Sequence, residues 1–185
     1  MSGSALSANS PPSDCRSLVM TVLMTPDMAN FSGNVHGGAI LRILDQVAYS
    51  CASSYAKSYV VTLSVDRVLF RDAIHVGELV TFAASVNYTG RTSMEIGIRV
   101  DTADILTGAS RHTNSCYFTM VAVDHAGVPV NVPTLIPQNP VETQRFNSAR
   151  LRRKAQRRQF DSAHGCDQTG ERKNESDRSG CDLPE

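Results

Sequence analysis

The sequence predicts an α+β fold in which one long helix is wrapped by a five-stranded antiparallel sheet. Two observations carry this reading. Ile40, Ile43, Leu44, Val47 and Cys51 follow the pair Gly37-Gly38 at three- and four-residue steps, the spacing of one helical face. Five other runs, rich in Val, Thr, Ile, Phe and Tyr, have the composition of strands and are punctuated by Gly77, Gly90, Gly108 and Gly127. One apolar helix amid five strands buries its face only if the sheet curls around it.

Residues 1–14 (MSGSALSANSPPSD) are turn-formers with little to bury, and are expected as a disordered leader. The domain is expected over 15–133. Ser17 to Met24 is its first strand, closed by Thr25-Pro26-Asp27. A loop from Met28 to His36 leads to the glycine pair and the helix, whose opposite face carries Arg42, Gln46, Tyr49 and Ser50. Val60 to Phe70, Leu79 to Tyr88, Ser93 to Val100 and Arg111 to Val123 are the remaining strands, expected as an antiparallel meander with short turns. Pro129, Pro133, Pro137 and Pro140 suit an extended surface strap. With the basic segment Arg145 to Arg158, which can form a short helix, the strap makes up a connecting region over 134–160. The polar residues 161–185 are expected to be disordered. A sheet of this size leaves edges that invite pairing, so an edge-to-edge dimer is expected, and its outward face favours a higher assembly.

At 185 residues and 41% hydrophobic content the chain has room for one domain with a core plus tails. Runs such as Leu18-Val19-Met20 and Tyr59-Val60-Val61 are far too short to cross a bilayer, and the N-terminus does not read as a signal peptide. Five cysteines without metal-type spacing fit a reducing, cytoplasmic location. The zero formal charge hides a basic cluster of Arg145, Arg150, Arg152, Arg153, Lys154, Arg157 and Arg158 with no acid among them. A solvated helix is the plainest reading of it, a nucleic-acid site or a seat for a phosphate-rich small ligand the alternatives. There is no G-x-S-x-G elbow, no G-x-x-x-x-G-K-[ST] loop and no paired C-x-x-C, so serine-hydrolase, P-loop and zinc readings lack their minimal parts, and no metal is expected. Cys116, beside Tyr117 and Phe118 in a strand, reads as a buried thiol rather than a nucleophile.

Asp45 is the most informative single residue. It lies at the margin of the apolar helix face, where a carboxylate is partly desolvated and so a better base; a boundary carboxylate satisfied by a neighbour is the alternative. Gly37-Gly38 open the same helix, whose first N–H groups carry partial positive charge, an oxyanion site or a plain turn into the helix. Asn30 and Asn34 lie in the preceding loop, where an amide can orient water or donate to an oxygen, although loop asparagines are commonly turn-formers. His36 is a base by type, or simply completes the turn.

The string from Pro26 through Asn30, Gly33, His36, Gly37 and Gly38 to Leu41, followed by Asp45, resembles the signature of the hotdog-fold acyl-CoA hydrolases. Val65-Asp66-Arg67-Val68-Leu69-Phe70, Val76-Gly77-Glu78, Gly90-Arg91-Thr92-Ser93-Met94 and Phe118-Thr119-Met120-Val121-Ala122-Val123-Asp124 are similar to that family's strand landmarks, in order, and the match covers about residues 17–133. The resemblance implies hydrolysis of a fatty acyl-CoA to free acid and CoA, with no cofactor besides the CoA of the substrate. It implies Asp45 as base or nucleophile and Asn30 as the partner that orients water or carbonyl, the two coming from different subunits of a dimer. It also implies Gly38 as an oxyanion donor, Arg91, Thr92 and Ser93 near the CoA, and three dimers in a hexamer. Arg152, Arg153 and Lys154 are assigned to the CoA phosphates on charge alone. Rival readings are a hotdog dehydratase or hydratase, which needs a further histidine or a carboxylate pair, no such histidine following Asp45 on the helix, and a non-catalytic acyl-CoA or nucleic-acid binding module using Arg145 to Arg158.

Overall fold

A computed structural model describes residues 15–66, 68–70 and 72–165, with side chains of the last helix described as far as residue 156. The expected leader over 1–14 and the tail beyond residue 165, with Cys166 and Cys181, lie outside the described residues. The chain divides into two compact units, residues 1–146 and 147–185.

The first unit contains β1 (Ser17–Leu23), α1 (Gly37–Ala56), β2 (Tyr59–Val65), β3 (Leu79–Thr89), β4 (Ser93–Ala103) and β5 (Ser110–Val123). All strand pairings are antiparallel, in the order β1-β3-β4-β5-β2. The wrapped-helix α+β class is therefore the one expected. Strands β3, β4 and β5 form the meander, but β2 does not join it through β3. After α1 the chain lays β2 on the far edge, against β5, then crosses back through 66–78 to bring β3 beside β1. This crossover is why β2 ends at Val65 rather than at Phe70: Asp66 donates its N–H to the Tyr117 carbonyl at 2.9 Å, and the apolar residues beyond it leave the sheet. A bulge at Leu63, between the paired residues Thr62 and Ser64, twists this edge.

Helix α1 is 20 residues long and buries Ile40, Ile43, Leu44, Val47, Ala48, Cys51, Ala52 and Tyr55. They pack on the concave face of the sheet with Phe82, Ile96, Phe118 and Met120, each Val, Leu, Ile, Phe or Met side chain contributing roughly 1.5–3 kcal/mol through its removal from water. Lys57 ends the helix in a left-handed conformation, φ 55°, with its N–H on the Ser53 carbonyl. Cys51 and Cys116 belong to this core, and burial pushes both thiols up to about 12, which leaves them unreactive.

The other face of β3 and β4 is covered as well. Ser93 and Glu95 are buried there although Met94 and Ile96 face α1, and Asn87 bridges Ser85 and Glu95 through hydrogen bonds of 3.0 and 3.3 Å. Gly97 leaves room for this amide, since a Cβ would collide with Asn87 Nδ2. The expected strap runs over 124–139 and is tied down more firmly than a surface segment. Val132 donates its N–H to the Arg91 carbonyl, Leu135 donates to Thr89 Oγ1, and both side chains are buried. Helix α2 (Pro140–Gly165) is longer than the short basic helix expected and takes in five residues assigned to the tail. It starts early because Pro140 sits in its first turn, where a missing N–H is harmless, and Asn139 caps it by accepting from the Glu142 N–H at 2.9 Å. Phe146 closes the first unit against Tyr88, ring centroids 5.0 Å apart. The described part of the second unit is the remainder of α2, with Lys154 exposed and Arg152 and Arg153 half-buried. No described helix is long and apolar enough to cross a membrane.

Candidate active site

Asp45 projects from the middle of α1 on the row formed by Gly38, Leu41, Arg42 and Tyr49, all of them exposed. The isolated chain does not bury this carboxylate, contrary to the expectation of partial desolvation: the apolar face of α1 turns into the sheet one residue away, at Leu44. What the chain does supply is Thr62, whose hydroxyl donates to Asp45 Oδ1 at 2.6 Å. Alternation along β2 turns Val60 and Thr62 toward the helix, and the bulge at Leu63 breaks the alternation immediately afterwards. One carboxylate oxygen is thus held by a short, charge-assisted hydrogen bond, which fixes the orientation of the other. Thr62 was missed in the sequence. The available signal was a lone hydroxyl at an inward position of the apolar run Tyr59-Val60-Val61-Thr62-Leu63.

Asn30 lies in a tight loop that its own side chain organises. Its Oδ1 accepts from the Ser32 N–H at 2.9 Å and the Asn34 N–H at 3.1 Å, while its backbone N–H donates to the Asn34 carbonyl at 2.7 Å. Gly33 makes the reversal at φ 77°. With the amide oxygen occupied, the group left for a ligand is the Nδ2 amine, a donor. The loop rests on 73–78 through a bond from the Val35 N–H to the Ile74 carbonyl and a 2.9 Å contact between Asn34 Oδ1 and His75 Nδ1. That segment is clamped in turn by Glu78, which accepts from Arg111 at 2.6 and 2.9 Å and from the His75 N–H at 2.8 Å. The Arg111 guanidinium holds the Glu78 carboxyl below its usual range. At the tip of the loop Phe31 is fully exposed. No hydrogen bond joins Asn30 to Asp45 within the chain.

His36 is the N-cap of α1, and its Nδ1 accepts the Gly38 N–H at 2.7 Å. This explains the glycine, because a Cβ at Gly38 would come within 2.8 Å of the imidazole. It also alters the reading of Gly38 as an oxyanion donor: the N–H is engaged by the imidazole in this conformation, and donation to a substrate requires His36 to release it. Arg91, Thr92 and Ser93 form the β3–β4 turn, where Gly90 N–H meets the Ser93 carbonyl at 2.7 Å. Arg91 is exposed, but Ser93 is buried on the face of the sheet turned away from α1 and Asp45, which separates it from the carboxylate. Arg152, Arg153 and Lys154 belong to the second unit.

One other constellation invites a chemical reading. Ser115 Oγ lies 3.3 Å from His112 Nε2, and His112 Nδ1 lies 3.3 Å from Asp101, the order of a nucleophile, base and acid. Asp101, however, is bound by Arg99 through two contacts of 2.7 Å, and Ser115 and His112 are exposed.

A family model described as the thioesterase superfamily matches residues 32–109, which includes the end of the Asn30 loop, α1 and β2. Protein VdlD of Helicobacter pylori is 49% identical over 144 residues, 78% of this chain and 82% of that protein. The crystal structure of an apo-hexameric acyl-CoA thioesterase superposes with a TM-score of 0.78 at 35% identity, covering 83% of this chain and 98% of that one. An acyl-CoA hydrolase from Staphylococcus aureus, solved in complex with butyryl coenzyme A, coenzyme A and coenzyme A disulfide, superposes with a TM-score of 0.73 at 26% identity, covering 84% and 95%. The same enzyme has been solved with an asparagine, an aspartate or a threonine singly replaced by alanine. With its wrapped helix, its five-stranded sheet and these relatives, the chain belongs to the thioesterase superfamily, among its hotdog-fold acyl-CoA hydrolases.

Proposed function

We propose that this acyl-CoA hydrolase cleaves a fatty acyl-CoA to the free acid and CoA in a site shared by two copies of the chain, with Asp45 and Thr62 from one and Asn30 from the other. The hydrogen bond from Thr62 to Asp45 carries the proposal. With Oδ1 held, Oδ2 is free to take a proton from water, or to attack the thioester carbon and form an anhydride. Asn30 presents an amine rather than an oxygen, so it donates to the thioester carbonyl as negative charge develops there, in preference to accepting from water. The leaving thiol has a pKa of roughly 8.5 and departs without a strong general acid. No further cofactor enters this scheme. The three residues replaced in the Staphylococcus aureus enzyme are spaced along its chain as Asn30, Asp45 and Thr62 are here, which supports the same trio.

A second copy enters the scheme because no hydrogen bond joins Asn30 to Asp45 within one chain. The edge strand β2 exposes Tyr59, Val61, Leu63 and Val65 beside the exposed row of α1, and Phe31 protrudes from the Asn30 loop. Pairing two β2 edges covers these side chains and brings each loop to the other chain's helix. Three such dimers in a hexamer are supported by the hexameric relative. A cytoplasmic setting accords with the free thiols of Cys15, Cys51 and Cys116.

Release of free thiol from a series of acyl-CoAs, short to long, tests the proposal. Turnover of some chain length that falls at least about a hundredfold in Asp45→Asn and in Asn30→Ala is expected. Turnover indifferent to Asp45 refutes the mechanism. Mixing the two inactive variants tests the shared site: each hybrid dimer regains one of its two sites, about a quarter of wild-type activity in a random equal mixture, if Asn30 and Asp45 come from different chains, and nothing is regained if each chain is self-sufficient.

A further inference from the structure

The first residues of β1, the end of β3, the strap and the opening turn of α2 enclose a pocket of about 380 Å³, of the size that holds a small metabolite. It shares no residue with Asn30, Asp45 or Thr62. Arg16 lines it and is only 6% exposed. Its Nη1 donates to the Ile136 carbonyl at 2.9 Å and lies 3.4 Å from the Glu142 carboxylate, a long ion pair. Its Nε has no hydrogen-bond partner among the described residues. A buried guanidinium that meets its counter-ion only at this distance is incompletely neutralised, and an anion in the pocket would complete it.

A second guanidinium stands in the same wall. Arg145 is exposed and, among the described residues, its hydrogen bond is a 3.3 Å contact to Ser85 Oγ. Glu142 offsets one of the two cations, and its oxygens also accept from the Gln138 N–H at 2.8 Å and Asn139 Nδ2 at 2.9 Å, so the wall keeps a net positive charge. The opening of α2 adds the positive end of a helix dipole. Val86, Leu135 and Val141 supply an apolar wall beside this polar end.

The geometry points to a second ligand site that takes a small phosphorylated metabolite, its phosphoryl group between Arg16 and Arg145 and its body against Val86, Leu135 and Val141. A phosphoryl group fits better than a carboxylate. Its oxygens point in three directions and suit two guanidinium groups arriving separately, Arg16 from the start of β1 and Arg145 from α2, whereas one guanidinium satisfies a planar carboxylate in bidentate fashion. The site stands independently of the catalytic proposal.

The test is calorimetric titration and thermal unfolding of the full chain at constant ionic strength. The probes are inorganic phosphate, adenosine monophosphate and, as a carboxylate control, butyrate. Saturable binding of the monophosphate is expected, with weaker binding of phosphate and little of butyrate. Affinity should fall at least tenfold in Arg145→Gln, an exposed position where folding is not at stake, and should survive in Asp45→Asn. Absence of saturable binding, equal binding of butyrate, or affinity unchanged in Arg145→Gln overturns the site. Displacement of the monophosphate by free CoA, with a matching loss of CoA affinity in Arg145→Gln, overturns its separateness by assigning the pocket to the substrate's own phosphates.

Discussion

Strands β4 and β2 belong to one sheet but meet opposite fates. From Ser93 to Ile98 every residue of β4 is buried, on one face by α1 and on the other by further chain, whereas β2 buries Val60 alone. The same contrast divides α1, where Leu44 is fully buried and its neighbour Asp45 is exposed. The centre of the sheet is complete within one chain, while the edge strand that carries Thr62 and the helix row that carries Asp45 are left open in it. The residue that packs the core and the residue proposed for the chemistry are thus adjacent, and perturbing each in turn separates the two roles.

The largest effect is expected on the complete side. Leu44→Ala should lower unfolding free energy by about 3 kcal/mol or more, read from urea denaturation, because a cavity opens between α1 and the sheet. Asp45→Asn, one residue on, should remove at least about 2.7 kcal/mol of transition-state stabilisation, the equivalent of a hundredfold in kcat, with the midpoint of unfolding nearly unchanged. A matching loss of stability in the Asp45 variant would break the comparison.

Two regions of charge give a contrast of the same kind. Glu78 is nearly enclosed and paired with Arg111, while Asp101 and Arg99 pair at the surface. Glu78→Gln should cost about 2 kcal/mol, the scale of hydrogen bonds to a charged group. Because the Glu78 carboxyl is held low in the folded state, first by its hydrogen bonds from Arg111, this contribution is fully present above the unfolded carboxylate range near pH ~4.3. It disappears as pH falls through the lowered folded value, so wild type and Glu78→Gln should converge in acid. A gap that persists in acid would mean the glutamine distorts the clamp rather than removing a charge.

Leu63→Glu places a charge on the exposed edge and should break the proposed edge-to-edge dimer in light scattering, with activity falling in parallel. An active monomer would show the edge to be dispensable. The smallest effect is expected at Thr62, where Thr62→Ala should lower kcat about tenfold and Thr62→Ser should restore most of it, since only the hydroxyl reaches Asp45.

The helix was legible because its apolar residues keep a 3.6-residue period from Ile40 to Cys51, and the strands β3, β4 and β5 because short glycine turns separate β-branched runs. The order of the sheet was less so. Val68, Leu69 and Phe70 continue the apolar run of β2, and nothing local says that the chain must leave the sheet there to reach the opposite edge. In the site, Asp45 and Asn30 stood out through a run of motifs in fixed order. Thr62 did not, because its significance lies in a 2.6 Å contact with a residue 17 positions earlier. The engagement of Gly38 by His36 likewise depends on a ring orientation that no spacing encodes.

By itself the sequence determined the elements and the class of fold, since periodicity and turn chemistry act over a few neighbouring residues. Only the tertiary structure decided that β2 occupies an open edge, that Thr62 holds Asp45, that the Asn30 oxygen is spent within its own loop, and that Arg16 and Arg145 share a pocket. Each of these is a contact between segments distant in the chain, made or missed by fractions of an ångström once the core has packed.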